Sequence, residues 1–293
     1  MFKGSMVAIV TPMHEDGSLD YSSLENLIEF HIENKTDVII SVGTTGESAT
    51  LDFDEHSKVI KSTLEIVNKR IPVIAGSGAN STSEALHLTQ RSKDLGADAC
   101  LLVTPYYNKP TQKGLYAHYK KIADEVSIPQ ILYNVPGRTS VDMLPETVES
   151  LSTHPNIVGI KEASGNLDRS RELLDRCSEK ISIFTGDDKT SARDILMGFK
   201  GNISVTANVV PLAMHNMCRL AAEGNKEEAE KINTTVDVLH DNLFIESNPI
   251  PVKWALSRMG LIKKGIRLPL TWMNEIYESK LEQSLIDAGV ELK

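Results

Sequence analysis

The chain is poor in the features that mark several common protein classes. Its three cysteines, Cys100, Cys177 and Cys218, are far apart and form no CxxC motif, which fits reduced thiols better than disulfides or a zinc site. No apolar run approaches the length of a membrane span, and the N-terminal run is too short for a signal peptide. These absences predict a cytoplasmic protein.

Positive charge is also in short supply. Lys and Arg total 31 against 40 Asp and Glu, which gives a formal net charge of −9. This acidic balance argues against nucleic acid or an anionic membrane as the main partner. The 293 residues are 41% hydrophobic and 24% charged, an ordinary globular composition with room for one large α/β barrel or two medium domains.

What the sequence does contain is a repeating strand–helix pattern. Helix-like segments separate eight short apolar runs, which begin near Met6, Asp37, Ile71, Asp98, Ile128, Asn156, Ile181 and Gly201. Eight units at this spacing predict an α/β fold, a (β/α)8 TIM barrel, and the lack of a Gly-rich dinucleotide fingerprint disfavours the doubly wound alternative. Beyond Pro211 the pattern is helical, which predicts a barrel over 1–224 and a C-terminal helical extension over 225–293 packed on it.

Barrel enzymes carry their chemistry at the carboxyl ends of the strands, and these ends contain no histidine. A histidine general base or a histidine-ligated metal therefore has little support, and no metal or cofactor is expected. The loops after strands seven and eight, TGDD and TANVVP, give little support for a phosphate site, because the first is acidic and neither is Gly-rich. Asp187 and Asp188 have the chemistry to bind magnesium, but caps of the following helix are the favoured interpretation.

Lys161 is the strongest nucleophile candidate that remains. It lies in IVGIKEASG (157–165), an apolar run that predicts a buried strand with Ile157, Gly159 and Lys161 on one face. An amine buried in an apolar barrel can lose its proton and form a Schiff base with a ketone. The alternative is a lysine that reaches solvent from the strand end.

Imine formation also needs a proton donor and acceptor for the departing water. Tyr133 ends the neighbouring strand and is the best candidate, and Thr44, Thr45 and Tyr107 are further hydroxyls at strand ends. Each of these side chains has a structural alternative as a turn or rim residue. Arg138 follows Pro-Gly on a loop, where a guanidinium either grips a substrate carboxylate or is simply solvated.

Four motifs in this order carry a family resemblance: GTTGE (43–47), TPYYN (104–108), YNVPGRT (133–139) and GIKEASG (159–165). Together they resemble the dihydrodipicolinate synthase family, pyruvate-dependent members of the N-acetylneuraminate lyase superfamily. The resemblance covers essentially the whole chain, including NPIPVKWA at 248–255. It implies a homotetramer, a dimer of dimers, in lysine and diaminopimelate biosynthesis. In this enzyme Lys161 would form an imine with pyruvate, and the enamine would attack L-aspartate 4-semialdehyde to give 4-hydroxy-tetrahydrodipicolinate.

The resemblance also implies the roles of individual residues. Tyr133 would be the proton donor and acceptor, and Thr44 and Tyr107 would complete a relay in which Tyr107 crosses from a neighbouring subunit. Substrate contacts are implied for Thr45 and Ile203 with the pyruvate moiety, and for Arg138 with the carboxylate of the semialdehyde.

Many bacterial members of this family are inhibited by L-lysine at a dimer interface. Phe53 stands where the lysine-sensitive pattern commonly has histidine, so a hydrogen-bonding nitrogen is missing and the strength of inhibition stays open. The positions that match the effector site are Ala49, His56, Asn80, Glu84 and Tyr106.

Two alternatives to the synthase remain at this point. One is another pyruvate-imine enzyme, a lyase or aldolase for sialic acid or 2-keto-3-deoxy sugar acids. Arg138 in PGRT favours the synthase, because it would hold a second carboxylate. The other is a catalytically silent sensor of lysine or a keto acid, which would not need Lys161, Tyr133, Thr44 and Tyr107 together.

Overall fold

Eight parallel strands close into a barrel in the computed structural model, which describes residues 2–293. The strands follow one another in chain order around the barrel, and the last pairs with the first. The predicted (β/α)8 barrel is therefore confirmed, and each strand begins close to its expected position. The strands are β1 (Gly4–Ala8), β2 (Val38–Ser41), β3 (Val73–Gly76), β4 (Ala99–Val103), β5 (Gln130–Asn134), β6 (Ile157–Glu162), β7 (Ser182–Thr185) and β8 (Gly201–Ser204).

Helices connect the strands and continue to the C-terminus. Between the strands lie α1 (Tyr21–Glu33), α2 (Phe53–Val67), α3 (Thr82–Leu95), α4 (Gln112–Glu125), α5 (Pro136–Thr139), α6 (Pro145–Leu151), α7 (Leu167–Cys177) and α8 (Ser191–Met197). After β8 come α9 (Pro211–Ala222), α10 (Lys226–Asn242), α11 (Ile250–Arg258) and α12 (Glu275–Asp287). Within residues 2–293 these helices are too short or too polar for any of them to cross a bilayer. The division at 224/225 stays a prediction.

The alternation of side chains along the strands builds two apolar cores. Met6, Ile40, Leu101, Ile131 and Phe184 belong to the cluster inside the barrel, and a larger cluster lies between the strands and the surrounding helices. A strand residue therefore points either into the barrel interior or outward against a helix.

A register shift in β6 corrects one detail of the sequence prediction. Ile157 packs in the outer core, whereas Val158 contacts the interior cluster. The cause is an irregularity at the first two residues of β5, where β6 contributes one extra residue and the alternation reverses. Gly159 and Lys161 keep their shared inward side, but the prediction that Ile157 lies on it is wrong.

Neither Asp187 nor Asp188 is the N-cap residue of α8, which is Thr190. The helix begins one residue after Thr190, and Asp187 accepts a hydrogen bond from the Thr190 N–H at 3.0 Å. Asp188 is buried, and its carboxylate accepts from the backbone N–H groups of Val205 and Thr206 at 3.0 and 2.9 Å. Asp188 thus fixes the loop after β8, and the prediction that it caps α8 is wrong.

Candidate active site

A cavity of about 330 Å³ opens at the carboxyl ends of the strands. Five of the residues predicted from the sequence line it together: Lys161, Tyr133, Thr44, Thr45 and Arg138. They come from four separate stretches of chain, the loop after β2, the end of β5, the short helix α5 and the end of β6. The barrel closure brings them together, as expected for a barrel enzyme.

Lys161 lies against Tyr133 inside this cavity. The two residues are directly paired in register between β5 and β6, so their side chains point the same way into the barrel. The Lys161 Nζ atom is 4.2 Å from the centre of the Tyr133 ring, and the lysine is only 6% exposed. Among residues 2–293 no carboxylate lies within ion-pair distance of this Nζ, so the amine faces the cavity without a salt-bridge partner.

Two glycines make room for this arrangement. A Cβ on Gly186, in the loop after β7, would stand 2.4 Å from Lys161 Cε, so only glycine leaves space for the extended lysine side chain. A Cβ on Gly159 would stand 2.8 Å from the ring of Phe184, which fills the barrel beneath the lysine. Both glycines are required by close packing, Gly186 against Lys161 and Gly159 against Phe184.

Asn248 links two of the predicted substrate contacts. Its Nδ2 donates to Thr45 Oγ1 at 3.0 Å, and its carbonyl oxygen accepts from Arg138 Nη2 at 3.3 Å. Asn248 immediately precedes the turn into α11, so the C-terminal extension forms part of the cavity wall. Sequence reasoning gave Asn248 no role, although it begins the NPIPVKWA motif that carried part of the resemblance.

Two predicted residues lie outside the cavity. Tyr107 is 88% exposed, and its backbone has a left-handed φ of +74°, so its ring projects from the surface of this chain. Ile203 is buried inside the barrel, in register with Met6 of β1, and does not line the cavity. Within one chain, neither residue is among those that line the cavity with Lys161.

One histidine does reach the cavity wall. His240 comes from α10 and is buried, with Nδ1 at 2.9 Å from Thr206 Oγ1 and Nε2 at 3.3 Å from Asn233 Oδ1. Both ring nitrogens are therefore engaged by protein groups. This geometry fits a structural side chain and gives no opening for a general base.

A polar network on the outer side of β5 and β6 connects the residues that follow Tyr133 and Lys161. Asn134 Nδ2 donates to both Glu162 and Asp142, at 3.1 and 2.9 Å, and Arg169 pairs with Asp142 at 2.8 Å. Burial raises the pKa of the Glu162 carboxyl above its ordinary value, against the hydrogen bonds from Asn134 and Ser164, which lower it. The network joins the residues next to Tyr133 and Lys161, so it fixes the two strand ends relative to each other.

A second cavity, of about 320 Å³, adjoins the first and has Thr44 and Arg138 in both walls. Four of the residues matched to the effector site line it. Phe53 also lines it, and the centroid of its ring is 5.6 Å from that of the His87 ring. Asn80 does not line this cavity; its carbonyl oxygen accepts from Asn108 at 2.8 Å. The four lining residues are Ala49, His56, Glu84 and Tyr106.

The second cavity is lined by two exposed carboxylates, Asp52 and Glu84, by the guanidinium of Arg138 and by uncharged groups. Burial lowers the pKa of His56 to about 4, so its imidazole is uncharged. Burial and the Glu84 carboxylate raise the pKa of Tyr106. His56 therefore adds no positive charge beside the Glu84 carboxylate, and Arg138 is the cationic side chain that lines this cavity.

Comparison with known proteins identifies the family. The model of the dihydrodipicolinate synthetase family matches residues 1–288. The chain belongs to this family. A 4-hydroxy-tetrahydrodipicolinate synthase of Thioalkalivibrio sulfidiphilus is 60% identical over 292 residues, with 100% of this chain and 99% of the relative covered. The predicted family is therefore confirmed along its whole length.

Solved structures of dihydrodipicolinate synthases have the same fold. A chloride-inhibited synthase from Acinetobacter baumannii, complexed with pyruvate, is 55% identical with a TM-score of 0.99, covering 99% of this chain and 100% of that one. A synthase from Cyanidioschyzon merolae with lysine bound is 39% identical with a TM-score of 0.95, covering 99% of each chain. Members of the dihydrodipicolinate synthetase family thus retain this barrel at moderate identity.

Proposed function

We propose that Lys161 is the nucleophile of a pyruvate condensation. The chain is a lyase that condenses pyruvate with L-aspartate 4-semialdehyde to give 4-hydroxy-tetrahydrodipicolinate, in lysine and diaminopimelate biosynthesis. The observation that carries the role of Lys161 is its burial at the cavity floor beside Tyr133, without a carboxylate partner. An amine that faces the cavity without an ion-pair partner can reach the carbonyl carbon of a bound ketone.

The proposed reaction runs through covalent intermediates on Lys161. The amine adds to the ketone carbon of pyruvate, the carbinolamine loses water, and the resulting imine loses a methyl proton to give an enamine. The enamine carbon bonds to the aldehyde carbon of the semialdehyde, and the substrate's own amino group then displaces Lys161 as the ring closes. Tyr133 supplies and removes the protons for these steps, with Thr44 and Tyr107 as a relay. Thr45 and Ile203 are proposed to bind the pyruvate moiety.

A trapping experiment tests this assignment directly. The enzyme is incubated with pyruvate and reduced with borohydride, and the modified peptide is identified by mass spectrometry. The expected adduct is on Lys161; its absence there would refute the mechanism. Supplying L-aspartate 4-semialdehyde or an acylated mannosamine as second substrate then distinguishes the synthase from a sugar-acid lyase.

Arg138 is proposed to bind the carboxylate of the semialdehyde. Arg138→Ala is expected to leave the rate of imine formation within about twofold, and to lower kcat/KM for the semialdehyde by roughly 10- to 100-fold, because a charge-assisted hydrogen bond is lost. Arg138→Lys should recover only part, since a lysine cannot form the bidentate fork. Equal damage to imine formation and condensation would contradict this role.

We also propose that the active enzyme is a homotetramer, a dimer of dimers, in which Tyr107 completes the relay of a neighbouring subunit. The exposure of this ring and its left-handed backbone support the proposal, since such a conformation is costly unless it serves a contact. The cytoplasm is the proposed location. The chain is proposed to divide into the barrel over 1–224 and the packed extension over 225–293.

L-lysine is the proposed effector, bound in the second cavity with an ammonium group at Glu84. Glu84→Gln is expected to raise the Kd for L-lysine about tenfold, because a charged partner becomes neutral. Isothermal titration calorimetry measures this change, with Glu65→Gln, at an exposed position of α2, as the matched control. The effector role is lost if wild-type enzyme binds no L-lysine, and the role of Glu84 is lost if both variants bind it equally.

A further inference from the structure

A fully buried ion pair connects the barrel mouth to the C-terminal extension. Lys253 of α11 pairs with Glu47, the last residue of GTTGE, and neither side chain is more than 1% exposed. Lys253 Nζ also donates to the carbonyl oxygen of Thr11 at 3.1 Å, beyond the end of β1. Withdrawing two charges from water carries a large desolvation penalty, and an apolar pair of similar volume is often as stable or more stable. Stability alone therefore does not explain the pair, and we consider how it fixes the positions of the segments that it joins.

Glu47 holds the turn on which two site residues lie. Its backbone is left-handed, with φ +58°, and its N–H donates to the carbonyl oxygen of Thr44 at 3.1 Å. Thr11 Oγ1 donates to the Gly46 carbonyl at 2.7 Å, so this turn is tied to the end of β1 as well. The position of the Glu47 carboxylate thus determines the path of the backbone through Thr44 and Thr45.

Residues that follow α11 also hold the Glu47 carboxylate. The second carboxylate oxygen of Glu47 accepts from the backbone N–H of Arg267 at 3.2 Å. The Arg267 guanidinium in turn binds both carboxylate oxygens of Glu55 on α2, at 2.6 and 2.7 Å. The Glu47 carboxylate is therefore bound both by α11, through Lys253, and by the segment that follows it, through Arg267.

We propose that Glu47 and Lys253 are positioning residues for the pyruvate half of the site. The pair holds the GTTGE turn so that the hydroxyls of Thr44 and Thr45 face Lys161, and imine formation depends on it. This inference rests on the proposed function of Lys161. Arg138 lies on α5 and contacts neither Glu47 nor Lys253; it is joined to the GTTGE turn only through Asn248, so the semialdehyde half depends on the pair less than the pyruvate half does.

Three variants test the proposal: Lys253→Met, Glu47→Gln and the double variant. Each is expected to slow formation of the borohydride-trapped adduct on Lys161 by about 10- to 100-fold, since small displacements of reacting groups carry penalties of this size. KM for the semialdehyde should change less than twofold. The double variant should regain thermal stability relative to Lys253→Met, because no buried charge is left unpaired, and should remain slow.

A merely structural pair predicts a different pattern, in which the double variant regains both stability and the wild-type rate of imine formation. That result, or a wild-type rate in folded Lys253→Met, would overturn the proposal. If Lys253→Met does not fold, the double variant decides. Arg258→Met, which removes the pair between α11 and Glu282, is the matched control and should trap at the wild-type rate. Absence of any Lys161 adduct in wild-type enzyme would instead refute the proposed function.

Discussion

Replacing Lys161 with alanine is expected to lower kcat by at least about 10³-fold, because the covalent route through the imine is lost and no other group can substitute for the nucleophile. Residual turnover would come only from binding the two substrates near each other. The steady-state rate with both substrates measures the loss, and the borohydride adduct with pyruvate should disappear at the same time.

Lys189 provides a matched control for this variant, because it is a second lysine in the wall of the same cavity. Its amine pairs with both carboxylate oxygens of Asp241, at 2.6 and 2.7 Å, so it is held in its charged form. Lys189→Ala should still give the adduct on Lys161. A Lys161→Ala enzyme that retains its rate, or a wild-type adduct on Lys189, would show that the nucleophile has been misassigned.

Tyr133→Phe is expected to lower kcat by about 10²- to 10³-fold, because it removes the proposed proton donor and acceptor while leaving the ring packed against Lys161. KM for pyruvate should change much less, since the aromatic surface stays in place. The rate of imine formation and the overall turnover should fall together, because both need proton transfer. Single-turnover trapping at several times measures the first and a steady-state assay the second.

Tyr119→Phe is the corresponding control. Tyr119 is also a buried tyrosine, and its hydroxyl donates to the Leu102 carbonyl at 3.1 Å, away from the cavity. Loss of that hydrogen bond should reduce stability by about 1 kcal/mol and leave the rate of imine formation unchanged. If Tyr133→Phe behaves like Tyr119→Phe, the hydroxyl of Tyr133 has no part in the chemistry.

The barrel and the position of Lys161 could be predicted because both depend on local patterns. Apolar runs and their spacing give strand positions, and the end of a strand gives the mouth of the barrel. The bulge that turns Ile157 outward could not be predicted, because it arises from the pairing of β6 with β5 and has no signal within β6 itself. Side chains along a strand alternate between the two faces of the sheet only where the strand stays in register with the neighbouring strand.

The parts of the site that sequence reasoning missed depend on contacts between distant segments. Asn248 joins Thr45 across 203 residues, and no local pattern connects these positions. The sequence around Asp188 predicts a helix cap, but its carboxylate accepts hydrogen bonds from the backbone of the loop after β8. Both cases show that a polar side chain at a strand end can satisfy several partners, and only the closed barrel determines which one it meets.

The links from Asn248 and Lys253 back to the loop after β2 set an order of events during synthesis. A nascent chain that has emerged through β8 contains every strand of the barrel, and its GTTGE turn still lacks both partners. These contacts are among the most distant in the chain, so they form late in folding, after the local strand–helix units. The proposed active site needs residues from the last quarter of the chain. We therefore expect the nascent chain to be inactive until the helices after β8 have been synthesised and packed.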